Sequence, residues 1–303
     1  MADRRLQVFH AVARHLSFTK AAEALFMTQP AVTFQIKQLE DHFGTRLFDR
    51  THGGITLTNA GSVVFDYAQR ILALSAELDA RVKDMGGNVA GPLYIGASTT
   101  IAEFLLPQIL GEFKSRFPAL VPKLVVANSE AVQSRIEERS LDLGFIEGDS
   151  HLPTLVSEVC CEDELRLICA STHPLAREKE VTASMMRAHP FITREPGSGT
   201  RQVTDHYFAR AGVPPESLGI VMEAGSPEAL KGLVATGLGF AIISKSAVVN
   251  EIRLAQLVQV PLSPRLVRHL SVVYPKERFH SQLLVSFIAF AKARLAALTA
   301  GQP

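Results

Sequence analysis

Phe18-Thr19-Lys20-Ala21-Ala22-Glu23-Ala24-Leu25, a short break at Phe26-Met27-Thr28, and then Gln29-Pro30-Ala31-Val32-Thr33-Phe34-Gln35-Ile36-Lys37 decide the fold of the N-terminal part. The first block is Ala-rich and helical, and Ser17 or Thr19 can cap it. Pro30 falls in the first turn of the next helix, where its missing N–H costs nothing. Val32, Ile36, Leu39 and Phe43 recur at helical spacing and make a buried stripe, while Thr33, Gln35 and Lys37 fall on other faces. Gly44 ends that helix. Upstream, Leu6, Phe9, Val12 and Ala13 predict another helix. Downstream, Arg46-Leu47-Phe48-Asp49-Arg50 and Ile55-Thr56-Leu57-Thr58 flank Thr51-His52-Gly53-Gly54 and read as a β-hairpin. Two short helices joined by a tight turn, then a hairpin, predict a winged helix-turn-helix, mainly α, over residues 1–58. Its second helix would enter a DNA major groove. Gln and Thr on that helix can read base edges, and Lys37 and Arg50 can neutralise phosphates.

These motifs, followed in order by Ile36-Lys37-Gln38-Leu39-Glu40, Leu47-Phe48-Asp49-Arg50 and Leu57-Thr58-Asn59-Ala60-Gly61, resemble those of the LysR-type transcriptional regulators. The resemblance implies DNA contacts from Thr28, Gln29, Pro30, Ala31, Thr33, Gln35 and Lys37, with Arg50 in the wing. It also implies double-stranded DNA as a partner, in a promoter operator of dyad symmetry, and RNA polymerase as a further candidate partner. Two residues depart from the family pattern: Phe34 stands where a polar or basic residue is frequent, and Gly53 replaces a second wing arginine.

Residues 59–88 read as one long helix. Leu57, Val64, Ile71, Leu78 and Met85 fall seven apart, with Tyr67, Ala68, Leu74 and Val82 filling the seam. A heptad stripe on an isolated helix needs a partner. Val64, Ile71, Leu78 and Met85 are therefore expected to dimerise the chain, and the stretch resembles the family's linker helix. A dimer or homotetramer is expected. Gly86-Gly87-Asn88-Val89-Ala90-Gly91-Pro92 marks a hinge.

Beyond the hinge, β-rich runs alternate with helical segments. Strands are expected at 93–97, 123–127, 143–146, 156–159, 164–170, 191–193, 219–223, 239–243 and 270–274. Helices are expected at 101–117, 132–139, 201–212, 227–236 and 281–298. This predicts an α/β effector domain over 89–303, made of two Rossmann-like subdomains with parallel sheets. Subdomain I would span 91–165 and 266–303, and subdomain II 166–265. The layout resembles the family's effector domain, which is periplasmic-binding-protein-like. A ligand would sit at the carboxyl ends of the strands.

Ser98, Thr99 and Thr100 lie between the first strand and its helix, where hydroxyls and free N–H groups suit an anion. Facing them is Thr193-Arg194-Glu195-Pro196-Gly197-Ser198-Gly199-Thr200-Arg201. Arg194 and Arg201 offer planar cations, Ser198 and Thr200 hydroxyls, and Gly199 a close backbone approach. Asn128, Glu147 and Ser226 also fall at strand ends. Ordinary alternatives exist: Ser98, Thr100 and Ser226 as helix caps, Arg194 paired with Glu195, Arg201 with Asp205. A small anionic effector in this cleft is the expectation. The 194–201 segment resembles branches of the family serving sulfur or inorganic-carbon metabolism.

Composition narrows the class. The 303 residues carry Lys+Arg 31 against Asp+Glu 30. Residues 1–58 hold seven cations and five anions, a modest +2, so a small reader is joined to a nearly neutral sensor. Three cysteines cannot frame a disulfide-stapled fold. No stretch reads as a membrane span or as a signal peptide, and a cytoplasmic location is expected. No nucleophile elbow, Walker loop or His-Glu-x-x-His occurs, so neither an enzyme, a metal site nor a cofactor is expected. The rivals are a bilobal solute-binding protein or enzyme on the same scaffold, and a redox-sensing regulator using Cys160, Cys161 or Cys169.

Overall fold

The computed structural model describes residues 3–51, 54–84, 91–150, 152–277 and 280–300. The chain divides into two compact units, one built on Met1–Asn88 and the other on Val89–Arg278 with Gln282–Pro303.

The first unit opens with helices α1 (Arg4–His15), α2 (Phe18–Ala24) and α3 (Gln29–Phe43). Strands β1 (Phe48–Thr51) and β2 (Gly54–Leu57) pair antiparallel, and helix α4 (Asn59–Asp84) follows. Ser17 rather than Thr19 caps α2, accepting from Lys20 N–H at 3.3 Å. Thr28 caps α3, and Gly44, with φ +66°, closes it in the left-handed conformation that glycine adopts freely. Phe9, Val12, Ala21, Val32, Ile36, Leu39 and Leu47 form one core. Glu40 on α3 accepts from the N–H groups of Leu47 and Phe48, which ties the start of the hairpin to the helix. The wing tip at 52–53, Met85 and residues 86–90 of the expected hinge lie outside the described residues; Gly91 and Pro92, the end of that hinge, belong to a strand.

Phe26 stands in the turn between α2 and α3 with φ +53° and its ring 99% exposed. A left-handed backbone strains an L-residue, and an exposed ring returns little. Phe26→Gly should therefore leave thermal stability unchanged or raise it by up to about 1 kcal/mol. A clear drop in melting temperature would contradict this.

The second unit starts with β3 (Gly91–Ala97), α5 (Thr99–Phe104), α6 (Leu106–Arg116), β4 (Leu120–Val126), α7 (Ser129–Glu137) and β5 (Leu143–Glu147). The single helix expected at 101–117 is two. Pro107 lacks an N–H and its ring would meet the carbonyl four residues back, so the chain breaks at Leu105 and restarts with proline in its first turn. Next comes β6 (Leu155–Cys169), one strand where two were expected. The charged Glu162-Asp163-Glu164 reads as an interruption, yet the ladder to β13 runs through it from Leu155↔Pro275 to Leu165↔Leu266, with one irregularity near Leu270.

The chain continues through β7 (Val181–Thr182), α8 (Ala183–Met186), β8 (Phe191–Arg194), α9 (Gly199–Arg210), β9 (Ile220–Ala224), α10 (Pro227–Ala235) and β10 (Ala241–Ser244). It ends with α11 (Val249–Arg253), β11 (Val258–Val260), β12 (Leu262–Ser263), β13 (Leu266–Pro275) and α12 (Gln282–Ala300). The short β7, α8, α11, β11 and β12 have too little pattern to be read from sequence.

The strand order is β4-β3-β5-β13-β6-β10, with β11 also on β6. β3, β4 and β5 are parallel, as are β8 and β9. The short β7 and β12 also pair parallel, but β13 runs antiparallel to β5 and β6, and β10 and β11 antiparallel to β6, so the expectation of parallel sheets holds only in part. Each half has its own apolar cores. Ile95, Phe113, Phe145 and Phe287 centre the first, with α12 packed on it. Leu167, Phe191, Phe208, Phe240 and Ile242 centre the second. The long strands β6 and β13 pass between the two, and this brings the ends of β3, β5 and β8 together.

Candidate functional site

Glu147, the last residue of β5, is 4% exposed and lies at the centre of a polar cluster. Its Oε1 accepts from Ser98 Oγ at 3.2 Å. Its Oε2 accepts from Thr200 N–H at 2.9 Å and from Thr200 Oγ1 at 3.1 Å. Thr100 adds another hydroxyl. Arg268 Nη1 sits 2.9 Å from the same Oε2. The carboxylate thus lies across the N-termini of α5 and α9, where unpaired N–H groups and helix dipoles favour negative charge.

The close fit depends on Gly199. A Cβ there would lie 2.5 Å from both the Glu147 carbonyl oxygen and its Cβ. Gly197, with φ +81°, turns the chain beside Asn128 and Glu130. Asn128 caps α7 through Ala131 N–H and donates from Nδ2 to the Pro196 carbonyl at 3.3 Å.

Arg268 on β13 and Asp163 on β6 complete the cluster. They face each other in register across the two long strands. Arg268 Nε donates to Asp163 Oδ2 at 2.8 Å, and its Nη1 donates to Thr200 Oγ1 at 2.8 Å. Ser244 Oγ donates to the other Asp163 oxygen at 2.6 Å. Burial pushes the Glu147 carboxyl up, but the Arg268 charge and the Thr100 hydroxyl outweigh it and hold it below the usual range. For Asp163 burial prevails over Arg268, and its carboxyl is raised.

The other expected cleft residues divide. Ser198 Oγ is buried and has no hydrogen-bond partner among the described residues. Arg194 is buried, bonds Glu195 through Nε at 2.8 Å and reaches Thr99 Oγ1 at 2.9 Å. Arg201 turns outward: its Nη1 donates to Glu223 at 2.6 Å and to the Arg194 carbonyl at 3.0 Å, with Asp205 3.7 Å from its Nε. Ser226 caps α10 through Ala229 N–H. Ser98, Thr99, Thr100, Asn128, Glu147, Arg194, Ser198, Gly199 and Thr200 are brought together; Arg201 and Ser226 make other bonds. Arg268, Asp163 and Ser244 were missed. A cation inside the apolar run Leu266-Val267-Arg268-His269-Leu270 was the available signal.

In the first unit, α3 buries Val32, Ile36 and Leu39 and exposes Gln29, Pro30, Phe34 and Lys37. Thr28 accepts from Ala31 N–H at 3.4 Å, and Thr33 Oγ1 bonds the Gln29 carbonyl at 3.0 Å. Ala31, Thr33 and Gln35 are half-buried. Arg50 lies on β1 opposite Ile55. On α4, Ile71, Leu74, Leu78 and Val82 are exposed, whereas Val64 packs against its own core beside the buried Ala68.

The sequence profile of the bacterial regulatory helix-turn-helix of the lysR family matches residues 4–62, and that of the LysR substrate binding domain matches residues 86–296. The chain belongs to the LysR family. This LysR-type regulator is 33% identical over 287 residues to a probable RuBisCO transcriptional regulator of Cyanidioschyzon merolae, covering 93% of this chain and 95% of that one. It is 34% identical over 241 residues to the HTH-type transcriptional regulator CysL of Bacillus subtilis, 80% of each chain. The CcmR regulatory domain of Synechocystis PCC6803, solved in complex with 2-PG, matches with 27% identity and a TM-score of 0.62, over 67% of this chain and 96% of that one. The chain is a DNA-binding transcriptional regulator with an effector-binding domain.

Two of the three cysteines of this LysR-type regulator, Cys160 and Cys169, are poorly set for redox chemistry. Burial pushes the Cys160 thiol up to about 12 and the Cys169 thiol up to about 11, away from the reactive thiolate. Among the described residues, no group of His, Cys, Asp and Glu is placed to hold a metal ion, and no helix is long and apolar enough to cross a membrane.

Proposed function

We propose that this LysR-type regulator binds a promoter operator of dyad symmetry and that a small anionic metabolite, held among residues 98–100, 128, 147 and 194–200, alters its DNA contacts. The observation that supports this is the Glu147 carboxylate itself. It fills a seat lined by Ser98, Thr100, the Thr200 N–H and hydroxyl, and Arg268. A seat that stabilises a carboxylate from within suits an oxyanion from outside, and the partnerless Ser198 hydroxyl is a donor left over for it. The relative solved with the small ligand 2-PG fits this reading. The effector acts through its different affinity for two arrangements of the subdomains, without a catalytic step and without a bound cofactor.

The exposed seam on α4 is our proposed dimer contact, carried by Ile71 and Leu78, and a pair of dimers would make the tetramer. RNA polymerase is a further proposed partner. Because the target is chromosomal DNA, we place the protein in the cytoplasm.

Glu147→Gln tests the effector reading. The amide keeps the shape but competes less for the donors, and Arg268 keeps Asp163 as its partner. In a thermal-shift screen of sulfur oxyanions, phosphorylated sugar acids and small carboxylates, the variant should bind the best anion about tenfold more tightly, roughly 1.4 kcal/mol. DNA affinity should stay unchanged. Binding of none of these anions, or binding lost in the variant, would refute the anion seat.

A further inference from the structure

Phe34 occupies the apex of the DNA-reading helix. At about 100° per residue, it lies opposite the Val32, Ile36 and Leu39 stripe that fastens α3 to its core. Its ring is 57% exposed. Pro30, Lys37 and Gln38 flank it on the same outer face and are exposed as well. The DNA contacts expected from family resemblance pass over this position, and the helix has a large apolar ring where a polar or basic residue is frequent.

We propose that Phe34 is a specificity-determining residue that reads the 5-methyl group of thymine. The inference rests on α3 entering the major groove. The floor of that groove displays hydrogen-bond donors and acceptors from guanine, cytosine and adenine, and its one apolar group is the thymine methyl. A phenyl ring at the apex gains by covering a methyl. Over any other base edge it strips water from a donor or acceptor and returns no hydrogen bond, which is unfavourable. Attraction to one base and a penalty against the others act together. Neighbouring side chains supply the complementary contacts: Gln29 and Gln35 carry amides for base edges, and Lys37 carries a charge for a phosphate.

The test selects duplexes from a randomised pool with the full-length protein and measures binding to the best one by fluorescence anisotropy. Each thymine is then replaced in turn by deoxyuridine, which lacks only the methyl. Wild type should lose about fourfold when one thymine of one half-site is changed, and about fifteenfold when both half-sites are changed, the effect of losing one buried methyl at each. Phe34→Ala is a surface change and should fold normally. It should bind the thymine duplex more weakly by a similar factor and show no further loss with deoxyuridine there. Phe34→Leu should keep part of the methyl dependence. The proposal is overturned if no thymine responds in wild type, or if Phe34→Ala keeps the full response. If wild type binds no duplex of the pool, the premise of DNA reading by α3 fails, and the role of Phe34 with it.

Discussion

Arg268→Met should destabilise the second unit by about 3–5 kcal/mol, the usual result of removing one partner from a buried ionic cluster. The Arg268, Glu147 and Asp163 side chains are only 1%, 2% and 4% exposed. Methionine fills much of the volume but leaves two carboxylates with hydroxyls and one N–H for company. Urea unfolding of the full chain, followed by circular dichroism, reads the loss. Its pH dependence identifies the cause. In wild type Arg268 holds the Glu147 carboxyl below its ordinary value of 4.5. Stability from that carboxyl is therefore present above pH 4.5 and is lost as the pH falls further. Without Arg268, burial prevails at Glu147 as it already does at Asp163, and both carboxyls then stand above their unfolded values. The variant should then be least stable at neutral pH and recover as the pH is lowered toward about 4.5. Adding Glu147→Gln and Asp163→Asn to Arg268→Met should restore much of the loss, since no buried charge is then left. A midpoint equal to that of wild type, or a deficit independent of pH, would falsify the assignment.

Gly61→Ala should uncouple the wing from the reading unit. A Cβ at Gly61 would lie 2.0 Å from the Leu47 carbonyl oxygen and 3.0 Å from Leu57 Cδ2. That carbonyl cannot withdraw, because it accepts from Thr58 N–H at 3.0 Å. Thr58 is itself engaged twice: its hydroxyl accepts from Gly61 N–H at 2.9 Å and donates to the Arg46 carbonyl at 2.9 Å. The methyl therefore pushes α4 away from β1, with an overpacking cost of about 3 kcal/mol. DNA affinity should fall more than tenfold. Hydrogen exchange on the full chain should quicken in β1, β2 and the first turn of α4, and stay unchanged over residues 91–277. Retained DNA binding with unaltered exchange would contradict this.

The reading unit was largely legible from sequence. Pro30, Gly44 and the Val32-Ile36-Leu39 spacing each have one physical meaning, and their meanings agree, although Phe43, read as part of the same buried stripe, is exposed in the last turn of α3. The order of α and β segments in the second unit was legible for the same reason. What escaped was non-local. Nothing in Glu162-Asp163-Glu164 tells that the middle carboxylate turns inward to meet Arg268, because that pairing is made across 105 residues. The same holds within the site. Residues 98–100 and 198–200 were picked out as anion-binding by composition, but sequence could not show that Glu147 fills the space between them. Arg201 was expected to face the cleft, and the outward ion pair with Glu223 depends on where β9 happens to lie.

The two long strands have a mechanical consequence. β6 and β13 run side by side between the apolar cores, with one irregularity near Leu270, and Asp163 and Arg268 clasp them in register. Strands bonded along their length move as one element. In the cleft proposed above, opening is then a bend of this shared pair. Under the proposed function an effector works against the stiffness of this pair, and substituting Asp163, which lies outside the proposed seat, would change the amplitude of the response.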